Sequence, residues 1–150
     1  MKRILTFILL GGFFLTTSAQ EAIFRKYEDT KGVTTIFISK NMLRLIPNVK
    51  AGDKDLTRLA PKLDRINILT CSRPTLVPVI RKEAVAIYKR EKYEEAMRVN
   101  DSGDHVVIYL LELKGGKNEF ALLSEDSDGE LSIINIAGTI TLKDIQSITK

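Results

Sequence analysis

The chain has little of what small proteins use to build covalent staples and reaction centres. It holds one cysteine, Cys71, and one histidine, His105, in 150 residues. A lone cysteine allows no internal disulfide, so the fold must be held by its core. No paired His/Cys spacing of the kind that ligates zinc is present, and neither a metal nor a cofactor is expected. Asp126-Ser-Asp-Gly129 resembles the middle of an EF-hand loop. Setting Asp128 and Gly129 at its fifth and sixth positions puts Ser124 first and Asn135 twelfth, where carboxylates are required. Gly115-Gly116 lacks the strand–loop–helix setting of a phosphate cradle, and both stretches read as turns. One nucleophilic arrangement is left, a Cys71–His105 dyad oriented by an Asp such as Asp104. Against it stands a plainer assignment: Cys71 as a small buried residue at a strand end and His105 as a solvated turn residue.

Long apolar runs are also missing after the N-terminus. Lys2 and Arg3 precede a nearly continuous apolar stretch over residues 4–15, and Thr17-Ser-Ala19 supplies small residues at a cleavage junction. The stretch is shorter than the roughly 20 residues a permanent membrane span needs. Residues 1–19 therefore read as a secretory signal cleaved after Ala19, leaving residues 20–150 as one domain. No cysteine lies near the junction to carry a lipoprotein anchor. The expected destination is the periplasm or cell envelope.

Strong charge imbalance is absent too. Removing Lys2 and Arg3 with the signal lowers the 23 basic residues to 21 against 19 acidic ones, a formal charge of +2. That near-balance argues against nucleic acid as a partner. The charge is instead polarised along the chain. Residues 40–92 hold 13 basic and 5 acidic residues, and residues 93–150 hold 5 and 11. Lys50, Lys54, Arg58 and Lys62 recur every fourth residue, which on a helix would give a positive ridge for an anionic lipid head group, polysaccharide or acidic protein. The alternative is that charges of the two halves pair or are solvated once the chain folds.

What the sequence has in quantity is strand patterning. Residues 93–140 contain four apolar runs separated by Asn100-Asp-Ser-Gly-Asp104, Lys114-Gly-Gly-Lys-Asn118 and Glu125-Asp-Ser-Asp-Gly-Glu130, and predict a four-stranded antiparallel meander. The second run, from His105 to Leu113, is apolar on both faces and is expected at the centre of the sheet. Val33-Thr-Thr-Ile-Phe-Ile-Ser39 and Arg65-Ile-Asn-Ile-Leu-Thr-Cys71 predict two earlier strands. Helical spacing appears from Glu21, with Ala22, Ile23, Phe24 and Tyr27 on one side, and over residues 41–46. It recurs through Leu56, Leu59 and Leu63, from Thr75 or Leu76 through Tyr88, and after Thr141, whose partner Asp144 suggests a capping box. The fold class is α+β, a mostly antiparallel sheet with helices packed on one face.

Gly32-Val-Thr-Thr-Ile-Phe-Ile-Ser-Lys40 with Met42-Leu43, Leu63-Asp-Arg-Ile-Asn-Ile-Leu-Thr70, Tyr93-Glu-Glu-Ala-Met97, and Gly138 before Leu142-Lys-Asp-Ile145 occur in an order that resembles an exported family typical of Bacteroidetes, the domain of unknown function numbered 4252. The resemblance spans nearly all of the chain after residue 19. It implies a small secreted or envelope-associated α+β domain and brings no site residues with it. The expected role is a non-catalytic binding or interaction module of the cell envelope. A small enzyme using Cys71 and His105, and a secreted structural or chaperone-like protein, are the alternatives.

Overall fold

The computed structural model describes residues 19–51 and 54–149. The expected signal segment, apart from Ala19, lies outside the described residues. Six strands form one antiparallel sheet: β1 (Val33–Ser39), β4 (Leu63–Cys71), β5 (Glu94–Asp101), β6 (Asp104–Glu112), β7 (Asn118–Glu125) and β8 (Leu131–Gly138), in spatial order β1-β4-β8-β7-β6-β5. From β5 to β8 each strand lies beside the one before it in the chain. The β1–β4 pair is added at the other end through β8.

Two helices cover one face, α1 (Ala19–Lys26) and α3 (Val77–Arg90). Pro78 lies in the first turn of α3, where its missing N–H breaks no helical bond. Ile23, Phe24 and Tyr27 of α1 pack with Val77, Ile80, Ala84 and Tyr88 of α3 over Leu69, Cys71, Leu123, Leu131 and Ile133. Ala22 is exposed, outside that face. The opposite face is covered by α2 (Lys40–Leu45), a hairpin of β2 (Lys50–Ala51) and β3 (Lys54–Asp55), a 3-10 turn at Ala60–Lys62, and α4 (Leu142–Gln146). These bury Leu43, Val49, Leu56, Leu59 and Ile145 against Ile66, Ile68, Phe120, Leu122, Ile134 and Ile136.

Helices thus lie on both faces, which corrects the expectation of one. The reason is legible in the strands: β4, β7 and β8 place apolar side chains on alternate sides without a polar face, so both sides need covering. A second correction concerns β6, which is next to the edge. Only Ile108 of that strand is buried; the two central positions fall to β7 and β8, where most residues are. The third concerns residues 48–62. Leu56, Leu59 and Leu63 are all buried as the periodicity suggested, yet no α-helix joins them. Pro61 sits in a 3-10 turn, and Leu63 already begins β4.

The joint between β4 and β8 depends on Gly138. A Cβ there would stand 2.2 Å from the Lys62 carbonyl oxygen, and the same carbonyl accepts a hydrogen bond from Thr139 N–H at 2.9 Å. Thr141 and Asp144 exchange the reciprocal bonds of a capping box at the head of α4.

Candidate functional site

β1 ends the sheet. Its seven residues pair with β4 in unbroken register from Val33–Cys71 to Ser39–Arg65, and among the described residues no strand pairs with its other side. In an antiparallel ladder alternate residues direct N–H and C=O to opposite sides, so the outer side of β1 presents a row of unused donors and acceptors. The strand carries no charge and no proline. Ile36 is 47% exposed and Phe37 62%, and just beyond the strand Met42 and Leu45 of α2 are 48% and 76% exposed. Four of the six large apolar side chains exposed among the described residues therefore fall within ten consecutive positions. Such clustering makes the segment a candidate interaction surface, whereas scattered exposure is ordinary.

Behind this edge lies a cleft of about 470 Å³ between α1 and β1. Glu21, Phe24, Arg25 and Glu28 form its helical wall and Thr35, Ile36 and Phe37 its strand wall. Ile36 is the register partner of Ile68, which belongs to the opposite core, so its side chain lies on that other face and it is the main chain of β1 that the cleft reaches at that position. At the floor is Asn67 of β4, directly opposite Phe37. Asn67 is 5% exposed, and its Nδ2 donates to no partner among the described residues. A buried donor without an acceptor is costly, roughly 1–3 kcal/mol, and is the kind of group that a carbonyl or carboxylate oxygen in the cleft would satisfy.

A polar row continues inward from Asn67. Its register partner Asn135 donates through Nδ2 to Glu119 Oε1 at 2.9 Å, and Arg65 Nη2 donates to the same oxygen at 3.0 Å. Glu119 is 3% exposed. Burial, and then the charge of Glu119, push the Tyr93 hydroxyl above the usual phenol range. Burial and the neighbouring Tyr109 do the same to Tyr88, whose ring lies 4.5 Å from that of Tyr109. Both phenols stay protonated near neutrality, so they are hydrogen-bond donors there and not bases.

The residues singled out from the sequence are not brought together. Cys71 is buried at the end of β4, 1% exposed, in the core beneath α1 and α3. His105 lies on the same cross-strand row, with Leu131 and Glu125 between them, so three strand spacings, roughly 14 Å, separate the pair. His105 Nδ1 is 2.7 Å from Asn100 Oδ1, and Asp104 Oδ1 accepts from Ser127 N–H. The dyad is not assembled. Asp126 Oδ1 accepts from the N–H groups of Asp128 and Glu130, so that side chain builds the turn itself.

Lys50, Lys54, Arg58 and Lys62 do not share the side of a helix. Lys50 stands on β2 opposite Asp55, Lys54 on β3 opposite Ala51, and Arg58 in the following turn. Lys62 Nζ is 3.1 Å from Asp144 Oδ1, joining the basic half of the chain to the acidic half. Arg81 with Glu125 and Lys117 with Asp64 make two further bridges between the halves. The edge and its cleft were missed in the sequence. Their signal there was the charge-free run of residues 33–39 followed by Met42 and Leu45.

No curated protein and no solved structure matches the chain. The profile of a family described as a domain of unknown function, DUF4252, matches residues 27–148, and the chain therefore belongs to that family.

Proposed function

We propose that the protein is an exported, non-catalytic interaction module of the bacterial cell envelope, and that its working surface is the outer side of β1 with the cleft behind it. The observation that carries the reading is the β1 edge itself: uncharged, in continuous register, with Ile36 and Phe37 exposed beside a cleft floored by the unpartnered Nδ2 of Asn67. Extended backbone of a partner adds to such an edge through main-chain hydrogen bonds, and side-chain pockets beside it supply selectivity. The charged head, apolar run and small-residue junction of residues 1–19 support export. The separation of Cys71 from His105 weighs against the enzyme alternative.

The test is fractionation of the host's cells with N-terminal mass analysis, comparing wild type with Phe37→Lys. The expected result is a chain beginning at Gln20 in the envelope fraction, with retention lost in the variant while its thermal midpoint is unchanged. Intact Met1 in the cytosol would refute export, and retention indifferent to Phe37 would refute the edge. The exposed edge also favours one second reading, a chaperone-like protein that holds unfolded chains. Suppression of a client's aggregation that depends on Phe37 would select it.

A further inference from the structure

The nature of the edge narrows what it pairs with. We propose that the partner of β1 is a second copy of this chain, paired antiparallel about a two-fold axis at Ile36; this rests on the edge reading above and names its occupant. In an isologous pair each residue meets its symmetry mate or that residue's neighbours, so a charge near the axis would face its own like. Val33–Ser39 has no charged side chain and consists of β-branched and aromatic residues apart from its terminal serine. It therefore meets that condition at every position. A charge-free strand equally carries no sign by which to select a foreign partner.

Register follows from length. Ile36 is the middle of the seven residues, so an axis there keeps all seven paired, Val33 with Ser39, Thr34 with Ile38 and Thr35 with Phe37. Moving the axis by one residue leaves five paired. On the α1 side this arrangement sets Phe37 directly opposite the second copy's Thr35, which lines that copy's cleft, and the symmetry repeats the contact. On the other side the two Ile36 side chains meet, on the face of the sheet that each α2 packs against through Leu43. One arrangement thus covers both exposed large apolar residues of the strand and completes both edges, giving a continuous twelve-stranded sheet from two copies of the six-stranded one.

The register gives an experiment that crowding or general stickiness cannot imitate. Directly opposed residues of an antiparallel pair have Cα atoms roughly 4.5–5.5 Å apart, within disulfide range. Ile36→Cys should therefore cross-link to its own mate under mild oxidation. Thr34→Cys should not, because its mate lies four residues along the strand, roughly 13 Å away. The processed protein, purified from its own host, should sediment as a dimer, and Phe37→Lys as a monomer with an unchanged thermal midpoint. Equal cross-linking at positions 34 and 36 would overturn the register. A wild-type monomer throughout the accessible concentration range would overturn the second copy as occupant. If that monomer still loses envelope retention on Phe37→Lys, the edge reading stands and only the occupant is wrong. If Phe37→Lys changes neither sedimentation nor retention, both fail.

Discussion

The two edges of the sheet are built on opposite rules. β5 carries Glu94, Glu95, Arg98 and Asp101, its register with β6 shifts between Glu95 and Met97, and Arg98 Nη2 lies 2.9 Å from Glu95 Oε2. Charges and an irregular ladder are among the means by which edges are kept from pairing with other chains. β1 has none of them: it is uncharged, straight in register, and leaves Ile36 and Phe37 in solvent. Both strands belong to one sheet and each borders its buried cores, so the difference is not one between a buried and an unburied strand. That contrast between a protected edge and a bare one is what supports the proposal that β1 is a surface to be used.

If the contrast concerns association and not folding, stability must reside between the edges. The largest effect is expected at Glu119, which holds Asn135 and Arg65 from a site 3% exposed. Glu119→Ala strands both partners and should cost toward the lower end of about 3–5 kcal/mol, since Arg65 is partly solvated. Urea denaturation measures it, and a loss under about 1 kcal/mol would mean that the polar row is not a structural tie.

The edges themselves should respond in association alone. Phe37→Lys alters an exposed site, so stability should move by no more than about 0.5 kcal/mol while the dimer is lost. The reverse experiment strips β5 of its protection. Glu95→Thr with Arg98→Val removes the ion pair and leaves the middle of β5 uncharged, with Glu94 and Asp101 only at its two ends, so that it can pair with its own copy. A molecule with two such edges has no closed arrangement and should sediment as a ladder of larger species. If the double variant remains a dimer, the charges of β5 are solvation and not protection.

Much of the fold was legible because its strands follow the period of two. The range of β1, the Pro78 start of α3 and the Thr141–Asp144 box appear where residue chemistry places them, and β4 begins two residues ahead of the expected Arg65. What was not legible depends on neighbours distant in sequence. The apolar sides of His105–Leu113 suggested a central strand, but depth in a sheet is set by what covers it, and β6 adjoins the edge strand β5. Leu56, Leu59 and Leu63 have helical spacing, yet the β2–β3 hairpin and Pro61 bring the three leucines to the core by another path. The helical alignment of Lys50, Lys54, Arg58 and Lys62 goes with that helix, since a four-residue spacing has meaning only on one. Asn67 looked like an ordinary alternation partner of Ile66 and Ile68. Its place on the cleft floor arises only when α1 and β1 close over it.

The smallest expected effect is electrostatic and lies beside the β1 edge. Asp64 stands between Lys117, whose hydrogen bond is the main reason its carboxyl lies below the usual value of 3.8, and Lys40, the first residue after β1. Asp144 is lowered likewise, chiefly by the Thr141 backbone N–H and then by Lys62. A folded-state pKa below the unfolded one means that the unfolded chain binds protons more readily. The stabilisation is therefore complete above the unfolded value near 3.8 and is lost as pH falls through it toward the lower folded value. Both carboxylates keep some solvent contact, so each should contribute no more than about 1 kcal/mol. Wild type should lose stability to urea between pH 5 and pH 2.5. Asp64→Asn and Asp144→Asn should start lower at neutral pH and fall less steeply, because the group that titrates is gone. The devices that guard β5 do not take part in either bridge, so Glu95→Thr with Arg98→Val should leave the slope unchanged. Were that double variant to flatten it as much as Asp64→Asn does, the acid-sensitive ties would have to be sought at the protected edge.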